Sequence, residues 1–145
     1  MDTTRLMSHP FLEKLAPSYL DLIVQWTSVE QFAIDQPLLL EGKPANKFFL
    51  IDRGEVLLRT FISASHGFTN IQRLRDGEVV GWSWLVPPHH WHFSAFATKP
   101  SQVFVINGQH LREQIEADHD FGYEIQKRLM RVIGQRLRRT RKQLG

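Results

Sequence analysis

The stretch "EGKPANKFFLIDRGEV", residues 41–56, decides how the chain is read. Its apolar run "FFLI" is too short for a helix and is bounded on both sides by turn chemistry, Glu41-Gly42 before it and Asp52-Arg53-Gly54 after it. Such a run is a buried strand, and a second one, "EVLLRTF", follows immediately. A turn between two strands of this kind predicts a hairpin connection at Asp52-Arg53-Gly54.

Outward from this pair the same alternation continues. Asp35-Gln36-Pro37 lies upstream; Ser65-His66-Gly67 and Asp76-Gly77 lie downstream, and "HFSAFATKPSQVFVIN" adds two strands joined at Lys99-Pro100-Ser101. Strands spaced about eight to twelve residues apart, with no helical segments between them, predict a β-sandwich or barrel over residues 29–107.

Helical periodicity appears only at the two ends. Over residues 8–28, Phe11, Leu12, Leu15, Tyr19, Leu22, Ile23 and Trp26 recur at three- and four-residue intervals, interrupted or restarted at Pro17. Over residues 108–145, Leu111 and Ile115 mark a short amphipathic piece. A longer one runs from about Asp118 through Phe121, Ile125, Leu129, Val132, Ile133, Leu137 and Leu144. The fold class expected is mainly β with flanking helices, in one domain spanning residues 1–145.

Composition narrows the function. The chain has 145 residues, 42% hydrophobic and 23% charged, and no cysteine. A disulfide framework, a thiolate metal site and a cysteine nucleophile are thereby excluded. There is no strand-to-helix phosphate loop and no nucleophile spacing among the scattered Ser and His, so a non-enzymatic protein is expected. The amino terminus lacks the apolar core of a signal peptide and no run reaches the length of a membrane span, which predicts a cytoplasmic protein without membrane contact. Residues 1–126 carry ten Lys and Arg against fifteen Asp and Glu, net −5, whereas residues 127–145 carry eight bases and no acid.

The order of "HPFLEKL", "EGKPANKFFLIDRGEV", "LRDGEVVGW", "AFATKPSQVFVI" and a last helix ending in "RLRRTR" resembles the cyclic nucleotide-binding domain of the catabolite activator protein (Crp/Fnr-like) superfamily, over roughly residues 9–144. The most specific piece is Glu41-Gly42 with Ala45, Phe49, Ile51 and Gly54-Glu55-Val56. The resemblance implies a jelly-roll-like, cupin-like β-barrel with an N-terminal helix and a long C-terminal helix. It also implies a phosphate-binding cassette over "GWSWLVPPHHWHFSA", residues 81–95. There the family pattern opens with Gly-Glu and continues to an arginine beside Ser or Thr. Gly81 fits, but Trp82 stands in the glutamate position. The arginine position falls at about Trp91, followed by His92 and Phe93, and no arginine lies between Arg75 and Arg112. Recognition of a cyclic phosphate in the usual way is therefore not expected, because the charge-assisted guanidinium contact is gone.

Three readings of the cassette stay open. Gly81, Trp82, Ser83, Trp84, Trp91, His92, Phe93 and Ser94 form a pocket for a flat or apolar ligand, nucleotide-like or otherwise, with backbone amides at its opening for an anion. Alternatively, the tryptophans and Phe93 fill the ligand space and the module works through protein contacts. Least favoured is a metal site at His90 and His92, two apart on one strand face, with a third ligand such as His66. No cofactor is expected beyond such a ligand. Glu78, three residues before Gly81, reads as a turn residue rather than a substitute for the missing glutamate.

The terminal helix carries two further expectations. Ile125, Leu129, Val132, then Arg136 or Leu137, and Thr140 approximate the seam of a parallel homodimer, the alternative being that Phe121 to Leu129 pack on their own subunit. In relatives a helix-turn-helix follows this helix. The sequence ends at Gly145, so sequence-specific DNA binding is not expected. Arg136, Arg138, Arg139, Arg141 and Lys142 read as a solvated helix end or a non-specific attractor of nucleic acid or an acidic partner.

Overall fold

The computed structural model describes residues 3–144, without the side chains of the last two. Leu144 of the apolar stripe therefore lies outside the described side chains. Helix α1 (Thr3–Met7) and helix α2 (Pro17–Gln25) precede eight strands: β1 (Thr27–Phe32), β2 (Pro37–Leu39), β3 (Lys47–Arg53), β4 (Glu55–Ser63), β5 (Gly67–Arg75), β6 (Val79–Val80), β7 (Ser94–Ala97) and β8 (Ser101–Asn107). Helices α3 (Gly108–Ala117) and α4 (His119–Leu144) follow.

Two antiparallel four-stranded sheets, β1-β8-β3-β6 and β2-β7-β4-β5, face each other in a jelly roll whose sheets are not hydrogen-bonded into a closed barrel. Strands β3 and β8 are buried over nearly their whole length because both of their faces are covered. One face meets the second sheet and the other meets the helices and loops, where Phe48 packs edge-on to Phe11 at 5.1 Å and against Trp84 at 5.0 Å.

The connection at Asp52-Arg53-Gly54 is not a hairpin. It carries the chain from β3 in one sheet to β4 in the other, and of the strands consecutive in sequence only β4 and β5 pair with each other. Tertiary hydrogen bonds make it a corner. The Gly54 N–H donates to Asp76 Oδ1 at 2.7 Å, the Glu55 N–H to Ser101 Oγ at 3.2 Å, and the Gly77 N–H to the Ile51 carbonyl at 2.9 Å. Three turns distant in sequence are thereby joined at one end of the sandwich. Gly54 has φ 137°, and a Cβ there would stand 2.7 Å from Ser101 Cα, so only glycine fits.

The N-terminal helical segment also differs from its expectation. Pro17 starts α2, as its fixed φ favours at a first helical position. Residues 8–14 form a chain of turns instead, and Thr27 already pairs with Ile106 in β1. Arg128 ties these turns to α4 by donating from Nη1 to the carbonyls of Phe11 and Glu13 at 2.7 and 2.8 Å. Helix α4 starts under an Asp118 cap, whose Oδ1 accepts from the N–H groups of Asp120 and Phe121.

Candidate functional site

The cassette loop, residues 81–93, leaves β6 at a glycine with φ 81° and runs through successive turns, the Leu85 N–H donating to the Trp82 carbonyl at 3.0 Å and the His89 N–H to the Val86 carbonyl at 2.9 Å. Its far arm returns along the 42–45 segment. The Trp91 N–H donates to the Lys43 carbonyl at 3.0 Å, the Gly42 N–H to the Trp91 carbonyl at 2.8 Å, and the Ala45 N–H to the His89 carbonyl at 2.7 Å. The segment that decided the fold thus also holds Trp91 in place.

The three tryptophans part company. Trp84 is fully buried; its Nε1 donates to the Gly81 carbonyl at 3.2 Å, and its Cβ lies so close to Gly108 that a side chain there would stand 3.0 Å from it. Trp91 is 5% exposed and lays its ring over Gly81, where a Cβ would stand 2.8 Å from Cη2. Trp82 is half-buried and faces α4, with the Arg136 guanidinium 5.3 Å from its ring centre. Of the other candidates, Phe93 packs partly against the core, and Ser94 Oγ is buried and accepts from the Glu41 N–H at 2.9 Å. Ser83 is buried and His92 is exposed. Gly81, Trp84 and Trp91 therefore form one packed unit, while Trp82 and His92 face elsewhere.

The histidines do not converge in the same way. His90 turns Nδ1 to the Pro88 carbonyl, and His66 bonds Ser63 at the β4–β5 turn. Among the described residues no group of three metal-ligating side chains comes together. Glu78 sits in the turn before β6, where its carboxylate accepts from the Arg75 N–H and from Arg139, each at 2.8 Å.

No lysine or arginine lies in residues 76–98. Two arginines reach the loop from outside it, and both spend donors on backbone carbonyls. Arg112 of α3 donates to Trp84 O at 2.7 Å, and Arg136 of α4 donates from Nη2 to Val79 O. Arg136 is 6% exposed, and burial pushes its guanidinium down to about 10. The helical spacing Leu129–Val132–Arg136 placed it on the apolar stripe, but the basic run around it suggested solvent. Arg112 gave no signal beyond its position on α3.

The exposed face of α4 is also displaced from the expected seam. Ile125 and Leu129 are buried against the chain's own core and Val132 packs partly on it, so these residues do not form an open seam. Tyr123, Met130 and Leu137, 64%, 71% and 67% exposed, stand seven residues apart on the opposite side.

The sequence model of the cyclic nucleotide-binding domain family matches residues 29–118. The chain belongs to that family, and its architecture is that of a regulatory module of it. Solved structures agree in fold. A protein from Geobacter metallireducens named for cyclic nucleotide binding matches with a TM-score of 0.85 at 26% identity, over 94% of this chain and 98% of its own. The sensor domain of the transcriptional regulator DNR from Pseudomonas aeruginosa matches with 0.74 at 17% identity, over 93% and 90%. A regulatory subunit of a cAMP-independent protein kinase A from Trypanosoma cruzi, bound to guanosine, matches with 0.68 at 19% identity, over 77% of this chain and 40% of its own. No curated protein sequence matches the chain. Among the described residues, no helix is long and apolar enough to cross a membrane.

Proposed function

We propose that the chain is a non-enzymatic regulatory module whose cassette does not take up a cyclic nucleotide, and that it signals through the position of α4 within a homodimer. The observation that carries the first part is the Trp91 ring on Gly81, in a loop with no cation of its own. A cyclic phosphate at the loop would meet an indole where a guanidinium is needed, and desolvating an anion without an opposite charge is strongly unfavourable. Of the three openings left by the sequence, the filled cavity has this support. The existence of a cAMP-independent protein of the same fold supports a regulatory role without cyclic AMP.

Isothermal titration with cyclic AMP and cyclic GMP, followed in parallel by tryptophan fluorescence, tests this. No heat and no quench are expected up to millimolar concentration. Micromolar binding of either nucleotide with a change in tryptophan emission overturns the proposal and returns the cassette to its pocket reading.

The dimer rests on the Tyr123–Met130–Leu137 stripe. Three large apolar side chains at heptad spacing on one helix face form the half-seam of a two-stranded coiled coil, and a second copy supplies the matching half.

A further inference from the structure

On the flank of α4 away from that stripe, a groove of about 520 Å³ runs between the helix, the turns at residues 10–14 and the Gly77-Glu78-Val79 turn. It contains none of the cassette residues 81–94. Six basic side chains and three acids border it, so its charge is positive. Two of the acids are already engaged, Glu124 by Lys127 at 3.2 Å and Glu78 by Arg139 at 2.8 Å. Among the described residues, Arg136, which lines the groove, has no carboxylate in hydrogen-bond contact; its Nη2 bonds a carbonyl, while Nε and Nη1 are buried with no hydrogen-bond partner there. A guanidinium held out of water with two donors unused is costly unless an acceptor of opposite charge completes it.

We propose that this groove binds a small soluble phosphate monoester, its terminal phosphate, doubly charged unlike the single charge of a cyclic diester, taken by Arg136 and by Arg131 on the exposed border, and its organic part resting on Phe11, Val79 and Val132. The volume falls within the range of small-molecule sites, about 300–1,000 Å³. Guanidinium groups match phosphate geometry better than an ammonium does. A buried Arg136 is out of reach of a duplex backbone, which favours a small ligand over nucleic acid. Nε and Nη1 are shielded from water, so engagement requires the guanidinium to turn toward the groove. The ligand then bridges α4 to the β5–β6 turn and favours the docked position of the helix, a population shift set by its differential affinity for the two positions. This site is separate from the cassette and stands whether or not the cassette is filled.

The test titrates the full chain with inorganic pyrophosphate and with adenosine 5′-monophosphate, by calorimetry and thermal unfolding, across three variants. Both probes are expected to bind and to raise the melting temperature. Arg136→Met is expected to weaken both by about tenfold or more, as loss of a charge-assisted contact predicts, with the melting temperature of each free variant as the reference for its own shift. Arg131→Ala, an exposed change that leaves the fold intact, weakens them in the same direction, while Arg138→Ala, outside the groove, leaves them unchanged. Absence of heat and of thermal stabilisation at millimolar probe overturns the proposal. Equal weakening by Arg138→Ala also overturns it, because attraction is then diffuse. Co-sedimentation with phosphatidic acid vesicles in the absence of pyrophosphate binding overturns the soluble ligand in favour of a lipid surface.

Discussion

Trp84 shows what a single side chain contributes here. Its indole is fully buried against Phe48, its Nε1 is satisfied by Gly81 O, and its own carbonyl is held by Arg112. Trp84→Ala removes a large apolar volume from a place where backbone on both sides is fixed, so partial collapse cannot refill it. The expected loss is about 3–5 kcal/mol in urea unfolding. Val86→Ala, two residues along the same loop and 54% exposed, is expected to change stability by less than about 0.5 kcal/mol. Equal effects at the two positions would mean that the loop does not pack as described. His9 makes a second prediction at this scale. It is buried, its Nδ1 accepts from the Phe11 N–H at 3.1 Å, and its Nε2 stands 3.0 Å from Ile51 O. With Nδ1 accepting, Nε2 carries the proton and the ring is neutral. Burial holds its pKa below the ordinary 6.5, against the opposing effects of the Ile51 carbonyl and then of Asp52. The unfolded chain therefore binds more protons than the fold below 6.5. This stability is fully present above that pH and is lost as pH falls from 6.5 toward the lowered folded value. The urea midpoint should drop between pH 7.5 and 5.5, before the depressed carboxyls Asp52 and Glu55 begin to matter, and the drop should shrink in His9→Gln.

At the scale of elements, the strands were legible because short apolar runs between turns leave few alternatives, and β3, β4, β7 and β8 all lie where those runs fall. Their partners were not legible. A hairpin and a corner use the same local chemistry, and Asp52-Arg53-Gly54 became a corner through Asp76 and Ser101, which are distant in sequence. Gly54→Ala tests that account. An L side chain at φ 137° that also meets Ser101 is strained twice, so a loss of about 2 kcal/mol or more is expected on thermal unfolding. Gly42→Ala, at φ 85° with open space around its Cβ position, carries only the backbone part and should cost about 1 kcal/mol. Helix α4 was found by its period; of the two readings of its stripe, packing of Phe121 to Leu129 on their own subunit is the one observed, and of the apolar seam residues only Leu137 is exposed. Ile125 and Leu129 looked like a seam because a helix packed on its own domain and a helix packed on a partner follow nearly the same spacing. The cassette was legible as a departure from a family pattern. Its separate destinations for Trp82, Trp84 and Trp91 depend on Gly81, Gly108 and α4, which no local pattern encodes.

For the whole molecule, the two sides of α4 carry different chemistry, and this divides its tasks. One flank is locked to the body by Arg128 on the 11–13 turn, by Arg136 on Val79, and by Arg139 on Glu78. The other presents Tyr123, Met130 and Leu137 to solvent. In the homodimer proposed above, α4 is joined to its domain on one side and to a second copy on the other, an arrangement that would carry a shift of the β5–β6 turn to the partner without any change in the sheets. Met130 sits midway along the stripe, where a charge would be buried in the paired helices but solvated in the monomer. Met130→Glu should therefore leave the thermal unfolding of the isolated domain nearly unchanged while converting the dimer to monomer. Sedimentation velocity at about 100 μM is the measurement, and the wild-type chain is expected at twice the monomer mass. A wild-type chain that sediments as a clean monomer at that concentration, or a Met130→Glu variant that still dimerises, would show that this face of α4 serves something other than a second copy.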